Sequence, residues 1–203
     1  MRLLSFLLDI LFPPRDTMRL VREATPAFVA ALIKERTHVR TGYTITTLLP
    51  YRHPLIRALI IQTKFGDDQE AAVLLAEVLR TYLEHRDVGC TVLVPIPLSR
   101  ERLRERGYNQ VERVVRMAIA DREDLSLSST LLSRRRDTHP QTALAKSKRG
   151  ENLRDAFYAH PCDPQAEYLI IDDVLTTGAT MQEAVHALKE AGAMHINALA
   201  LAH

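Results

Sequence analysis

The sequence predicts an α/β fold, a mostly parallel sheet with helices on both faces and a small N-terminal appendage. Two short, uninterrupted apolar runs, Thr91 to Val94 and Tyr168 to Ile171, read as strands buried on both faces. Each precedes a helical pattern, carried first by Val111, Val114, Val115, Ala118 and Ile119 and then by Ala179 to Ala191, and a last run from His195 to Leu201 reads as a closing strand. Strand, helix, strand, helix, strand calls for crossover connections and hence parallel pairing.

The composition agrees with a globular domain. The chain has 203 residues, 46% of them hydrophobic and 26% charged, with 7 Gly and 10 Pro, which excludes disordered and collagenous classes and allows a full core. A net charge of +2 argues against holding nucleic acid by bulk electrostatics. The two cysteines, Cys90 and Cys162, lie too far apart in sequence for a disulfide framework and are too few for a structural zinc, so a reducing cytoplasm is the expected setting.

Taken in order, Met1 to Phe12 is apolar but interrupted by Asp9 and followed by Pro13-Pro14 and Arg15-Asp16, not by a small-residue cleavage site. It reads as a short amphipathic helix that docks on the domain or on a second subunit, and it makes a homodimer an expectation. No stretch reaches the ~20 apolar residues of a membrane span, so no membrane insertion is expected. Pro26 to Ile33 reads as a helix and Thr41 to Leu49 as extended chain. Pro54 opens a helix carried by Leu55, Ile56, Leu59 and Ile60 as far as Gly66, and a second runs from Gln69 to His85. An arginine-rich loop follows Pro95-Ile96-Pro97, and polar turn residues fill Asp121 to Ser129. Ser133 to Arg154 is basic and poor in large apolar side chains, so it reads as a long loop, with an edge strand at Ala156-Phe157-Tyr158.

The chemistry concentrates in Tyr168-Leu-Ile-Ile-Asp172-Asp173-Val-Leu-Thr176-Thr177-Gly178-Ala179-Thr180. Ligands of open α/β sheets bind at the carboxyl ends of strands, which is where this pattern puts Asp172 and Asp173. Thr176 to Thr180 adds hydroxyls, a permissive glycine and the N–H groups of a helix N-terminus, a site for one phosphate. Phosphate beside carboxylates suits a phosphorylated ribose. A Walker B strand would also end in acids, but no G-x-x-x-x-G-K-[ST] accompanies it.

This thirteen-residue series resembles the signature of type I phosphoribosyltransferases. Three more segments resemble one branch of them, the competence protein F (ComF) family. They are Val94-Pro95-Ile96-Pro97-Leu98 with Arg102, Arg106, Gly107, Tyr108, Asn109 and Gln110; then Leu132, Arg134, Arg136, Thr138, Gln141, Arg149, Asn152 and Phe157; and Tyr51, Leu55, Ile56, Ile60, Lys64 and Phe65. The resemblance covers roughly Tyr51 to the end. It implies a phosphoribosyltransferase-like domain over 51–203 and an appendage over 1–50 where relatives carry a cysteine-paired zinc module. No cysteine follows Phe12-Pro13-Pro14 closely enough to form one, so no zinc is expected.

The resemblance further implies the ligand 5-phosphoribosyl 1-diphosphate and a nitrogen nucleophile attacking its C1. Asp172 and Asp173 would bind the ribose hydroxyls, directly or through magnesium-bound water, and favour an oxocarbenium-like transition state. Thr176, Thr177, Gly178, Ala179 and Thr180 would hold the 5-phosphate. Pro95 to Arg106 would meet the diphosphate, with Arg102 and Arg106 supplying charge, and magnesium would arrive with the diphosphate and not in a protein cage. Arg134, Arg136, Gln141 and Arg149 would belong to the loop that closes over the substrate. The family's link to DNA uptake implies a second reading, a non-catalytic partner of single-stranded DNA or of a DNA-processing helicase. Tyr108 is the only aromatic residue between Arg100 and Arg154, a thin platform for stacking bases.

Overall fold

The structure, a computed structural model, describes residues 14–40, 43–85, 91–135 and 156–203. Two helices, α1 (Pro14–Arg22) and α2 (Pro26–Ala31), lead into an antiparallel hairpin of β1 (Arg36–Arg40) and β2 (Tyr43–Leu49). Thr25 caps α2, its Oγ1 accepting the Phe28 N–H at 3.2 Å, and Pro26 sits at the first position, where no N–H is needed. Helix α3 (Pro54–Phe65) likewise begins on proline, and α4 (Gln69–Glu84) begins on Asp68, whose carboxylate accepts the Ala71 N–H. Strand β3 (Thr91–Pro95) is followed by α5 (Arg100–Arg106), α6 (Gln110–Ala118), β4 (Leu125–Leu127), β5 (Leu132–Arg134) and β6 (Phe157–Ala159). The chain ends with β7 (Glu167–Val174), α7 (Ala179–Glu190) and β8 (His195–Ala202).

Six strands form one sheet in the order β1-β2-β8-β7-β3-β4, antiparallel only between β1 and β2, while β5 and β6 pair with each other in a separate two-stranded sheet. The α/β class and the mostly parallel sheet are thus as the apolar runs predict. Strand β7 sits between β8 and β3, and its residues alternate between two cores. Leu169 and Ile171 join Leu93, Leu199 and Leu201 under α3, α4 and α6, whereas Tyr168 and Ile170 join Val94, Ala198 and Ala200 under α7 and the β5–β6 pair. Burying each Leu or Ile contributes about 1.5–3 kcal/mol, which is why the middle of β7, from Leu169 to Ile171, is wholly apolar between its exposed start and the acids at its end. The alanines of β8 leave room for α7, whose Met181, Ala184, Val185 and Leu188 are buried against them.

Three expectations need correction. The arginine-rich stretch after β3 is not all loop: Ser99 Oγ accepts the Arg102 N–H at 3.3 Å, and Gly107, at φ 78°, stops the resulting helix α5 in a left-handed turn. The polar break after α6 contains β4, a short edge strand beside β3. Ser133 and Arg134, read as the start of a loop, lie in β5 and pair with β6, so β6 edges no larger sheet. Helix α1 and strand β1, too polar to show a clear period, went unread. The readings on Met1 to Phe12, and on Arg136, Gln141 and Arg149, fall outside the described residues.

Candidate functional site

Asp172 and Asp173 occupy the carboxyl end of β7, where β3 has already turned away through Pro95 and Ile96. Pro95 is buried in register with Ile171, and the Ile96 N–H donates to the Ile171 carbonyl at 2.9 Å. Successive residues of a strand face opposite ways, so the two acids diverge. Asp172 faces the α7 side. There it lines a small open hollow with Thr176, Gly178, Thr180 and Met181. Gly178 precedes α7 at φ 81°, the left-handed region that favours glycine, and offers the helix no side-chain cap. The first-turn N–H groups of α7 therefore open toward the hollow with the exposed Thr176 and Thr177, and Thr177 Oγ1 accepts the Ala179 N–H at 3.4 Å.

Asp173 faces the other side, toward α3 and α6. Lys64 Nζ stands 2.8 Å from its Oδ1, and Gln110 Nε2 donates to its Oδ2 at 2.5 Å. Arg106 Nη1 donates to Gln110 Oε1 at 2.9 Å, which fixes the amide with its nitrogen toward Asp173, and the same guanidinium lies 4.8 Å over the Phe65 ring. The run Arg106 to Gln110 works residue by residue. Gly107 turns the chain, the Tyr108 hydroxyl donates to the Thr63 carbonyl at 2.7 Å, and Asn109 caps α6 while its Nδ2 donates to the Ile96 carbonyl at 3.0 Å.

Burial, helped by the adjacent Asp173, pushes the Asp172 carboxyl up to about 7, against the pull of Lys64 and Arg134 and of the Asp173 N–H, which donates to Asp172 Oδ1 at 2.8 Å. Burial and the nearby Arg102 lower the Arg106 guanidinium from its ordinary value, and Asp173 opposes them.

The structure brings together Asp172, Asp173, Thr176 to Thr180, Arg106 and Arg134. Arg102 lies on an exposed face of α5, and Pro95 is buried at the end of its strand. Two cations without an assigned role also converge here. Lys64 binds Asp173, and Arg40 at the end of β1 places its Nε 3.6 Å from where a Gly178 side chain would begin. Arg40 carried no readable signal, being far away in sequence on a polar strand. Gln110 could have been found from its place in the Arg-Gly-Tyr-Asn-Gln order. Among the described residues no group of three or more His, Cys, Asp or Glu is arranged to hold a metal ion, and no helix is long and apolar enough to cross a membrane.

The class is α/β with an open, mostly parallel sheet, and an acid pair and a glycine-led helix turn stand at the carboxyl end of an inner strand, the end at which ligands bind in sheets of this class. No family model matches the chain. It is 29% identical over 158 residues to Competence protein F of Haemophilus influenzae, covering 73% of this chain and 66% of that protein. Over 130 residues it is 32% identical to Competence protein ComFC of Streptococcus pneumoniae, covering 64% and 53%. With DNA utilization protein YhgH of Escherichia coli it shares 30% identity over 154 residues, covering 73% and 67%. The chain belongs to the ComF family. Its matches span between about half and two thirds of the length of these relatives.

Proposed function

We propose that the protein binds 5-phosphoribosyl 1-diphosphate and transfers its phosphoribosyl group to a nitrogen nucleophile, in the competence and DNA-utilization context for which its relatives are named. One observation carries the reading: a carboxylate, Asp172, shares a hollow with the glycine-threonine turn of α7, with Arg40 beside Gly178 and with Lys64 and Arg134 near enough to act on the acid electrostatically. A phosphate on the turn and ribose hydroxyls on the acid use both halves of the hollow, and the cations suit a diphosphate.

In the reaction the nucleophile's lone pair forms a bond to C1 of the ribose, the bond from C1 to the diphosphate oxygen breaks, and its electrons leave with the diphosphate. The nitrogen then releases its proton to solvent. The Asp172 carboxylate favours the positive charge that develops on the ring. Magnesium carried with the diphosphate would neutralise charge on the leaving group, and the few carboxylates here fit an ion that keeps its waters and phosphate ligands. Arg106, near Asp173, and Arg134, near Asp172, would hold the departing anion.

The test is calorimetric titration of phosphoribosyl diphosphate with magnesium into the wild type and into Asp172→Ala. Micromolar binding by the wild type that disappears in the variant is the expected result. A folded wild type that binds nothing overturns the proposal. It would direct attention to single-stranded DNA, for which the four arginines of α5 and the 56% exposed Phe65 beside them are the best surface.

A further inference from the structure

We infer that the two acids have separate duties: Lys64 and Gln110 hold Asp173 as an internal anchor whose peptide N–H orients Asp172, and Asp172 alone receives the ligand's hydroxyls. The ligand is the one proposed above, and the inference rests on that reading for its second half only.

The pleat of β7 is the first ground. It turns neighbouring side chains to opposite faces, so one acid meets the turn of α7 while the other enters the side covered by α3 and α6. Occupancy is the second. Both oxygens of Asp173 are engaged, one by the ammonium of Lys64 at 2.8 Å and one by the Gln110 amide at 2.5 Å, and the residue is only 8% exposed. Arg106 locks that amide from behind. A carboxylate held in this way is fixed in orientation and, being buried, presents little surface to a ligand. Asp172 accepts the Asp173 N–H at 2.8 Å on one oxygen and borders the hollow. Lys64 and Gln110 are thus positioning residues, acting on the ligand through Asp173 and then Asp172. The charged groups facing the pair are Lys64 from α3, Arg134 from β5 and Arg106 at the end of α5, and the neighbouring-strand residues in register at this end of β7, Pro95 of β3 and Leu199 and Ala200 of β8, are apolar.

A reciprocal exchange separates an anchor from a ligand contact. Asp173→Asn turns an amide N–H2 toward the Gln110 amide nitrogen, donor against donor, and should weaken phosphoribosyl diphosphate binding about tenfold, the worth of one hydrogen bond to a charged group. Adding Gln110→Glu to Asp173→Asn returns an acceptor to that contact, keeps an acceptor for Arg106 and restores one negative charge. Affinity should recover to within about threefold of the wild type. Asp172→Asn should lose at least tenfold, with no recovery on adding Gln110→Glu. The inference is overturned if the exchange variant, folded by circular dichroism, binds as poorly as Asp173→Asn, or if Asp172→Asn binds like the wild type. Should the wild type not bind, the reading of the ligand fails and takes the second half with it. The anchor is then decided by melting temperature, which Asp173→Asn should lower and the exchange should restore; equal values in the three proteins would refute it.

Discussion

Because burial and the adjacent Asp173 push the Asp172 carboxyl up to about 7, the folded protein holds a proton that the unfolded chain releases near about 4. Between those values the folded state binds more protons than the unfolded state, so stability falls as the pH rises across the window. The cost of the buried charge is fully present above it. Melting temperatures taken from pH 5 to pH 8 should therefore decline in the wild type more than in Asp172→Asn, and parallel declines would count against the shift. At Gly178 the obstacle to a side chain is conformational and not steric, since a Cβ would meet nothing nearer than 3.5 Å. Gly178→Ala should cost about 1–2 kcal/mol by urea titration, with the site's affinity falling alongside as the turn shifts. The acids and the turn were legible because they lie in one short stretch with a fixed order of residue types. Lys64 and Gln110 stand out in the sequence as members of resembling segments but not as partners of Asp173, because Gln110 reaches it across 63 residues of chain and nothing in local composition signals that contact.

Elements with an apolar stripe and a marked start were readable, α3 from Pro54 and α4 from the segment after Gly66 among them. Helix α5 was not, because it buries none of its seven residues and so has no stripe; only its ends, Ser99 and Gly107, identify it. The three-residue strands β4 and β5 offer too few alternations to show a period, and pairing with neighbours defines them, whereas β6 was readable to within one residue from Ala156-Phe157-Tyr158. Asn109 gives a test at this scale. Its Oδ1 accepts the N–H groups of Val111 and Glu112 while its amide holds Ile96, so it joins the start of α6 to the chain leaving β3. Asn109→Ala should destabilise by about 0.5–2 kcal/mol, whereas Asn109→Asp keeps the cap and loses only the bond to Ile96. Denaturant midpoints should rank wild type, Asn109→Asp, Asn109→Ala, and an Asp variant as weak as the Ala variant would show that the cap contributes nothing.

Across the whole molecule, one sheet serves two cores, so damage on either face reaches the same strands. Ile170→Ala, under α7, and Ile171→Ala, under α3 and α6, should each cost about 2–5 kcal/mol, since both side chains are fully buried. If the cores melt together, the far-ultraviolet and tyrosine signals will shift in step in both variants; a separate early transition in one would show that its layer opens alone. Strand order was not legible, because parallel pairing depends on which runs find each other and not on their own residues. Strand β2 illustrates this, for it lies beside β8 with Ile45 in register with Ala198, nearly the whole described chain away. That pairing carries a kinetic consequence. The β1–β2 hairpin forms early from local contacts but joins the sheet only through β8, the last of the described strands, and the closure entropy of so long a loop must be met before the contact repays it. During synthesis the hairpin must therefore wait with its inner edge unpaired, and refolding from denaturant should pass through a slow step whose rate is set by the docking of β8.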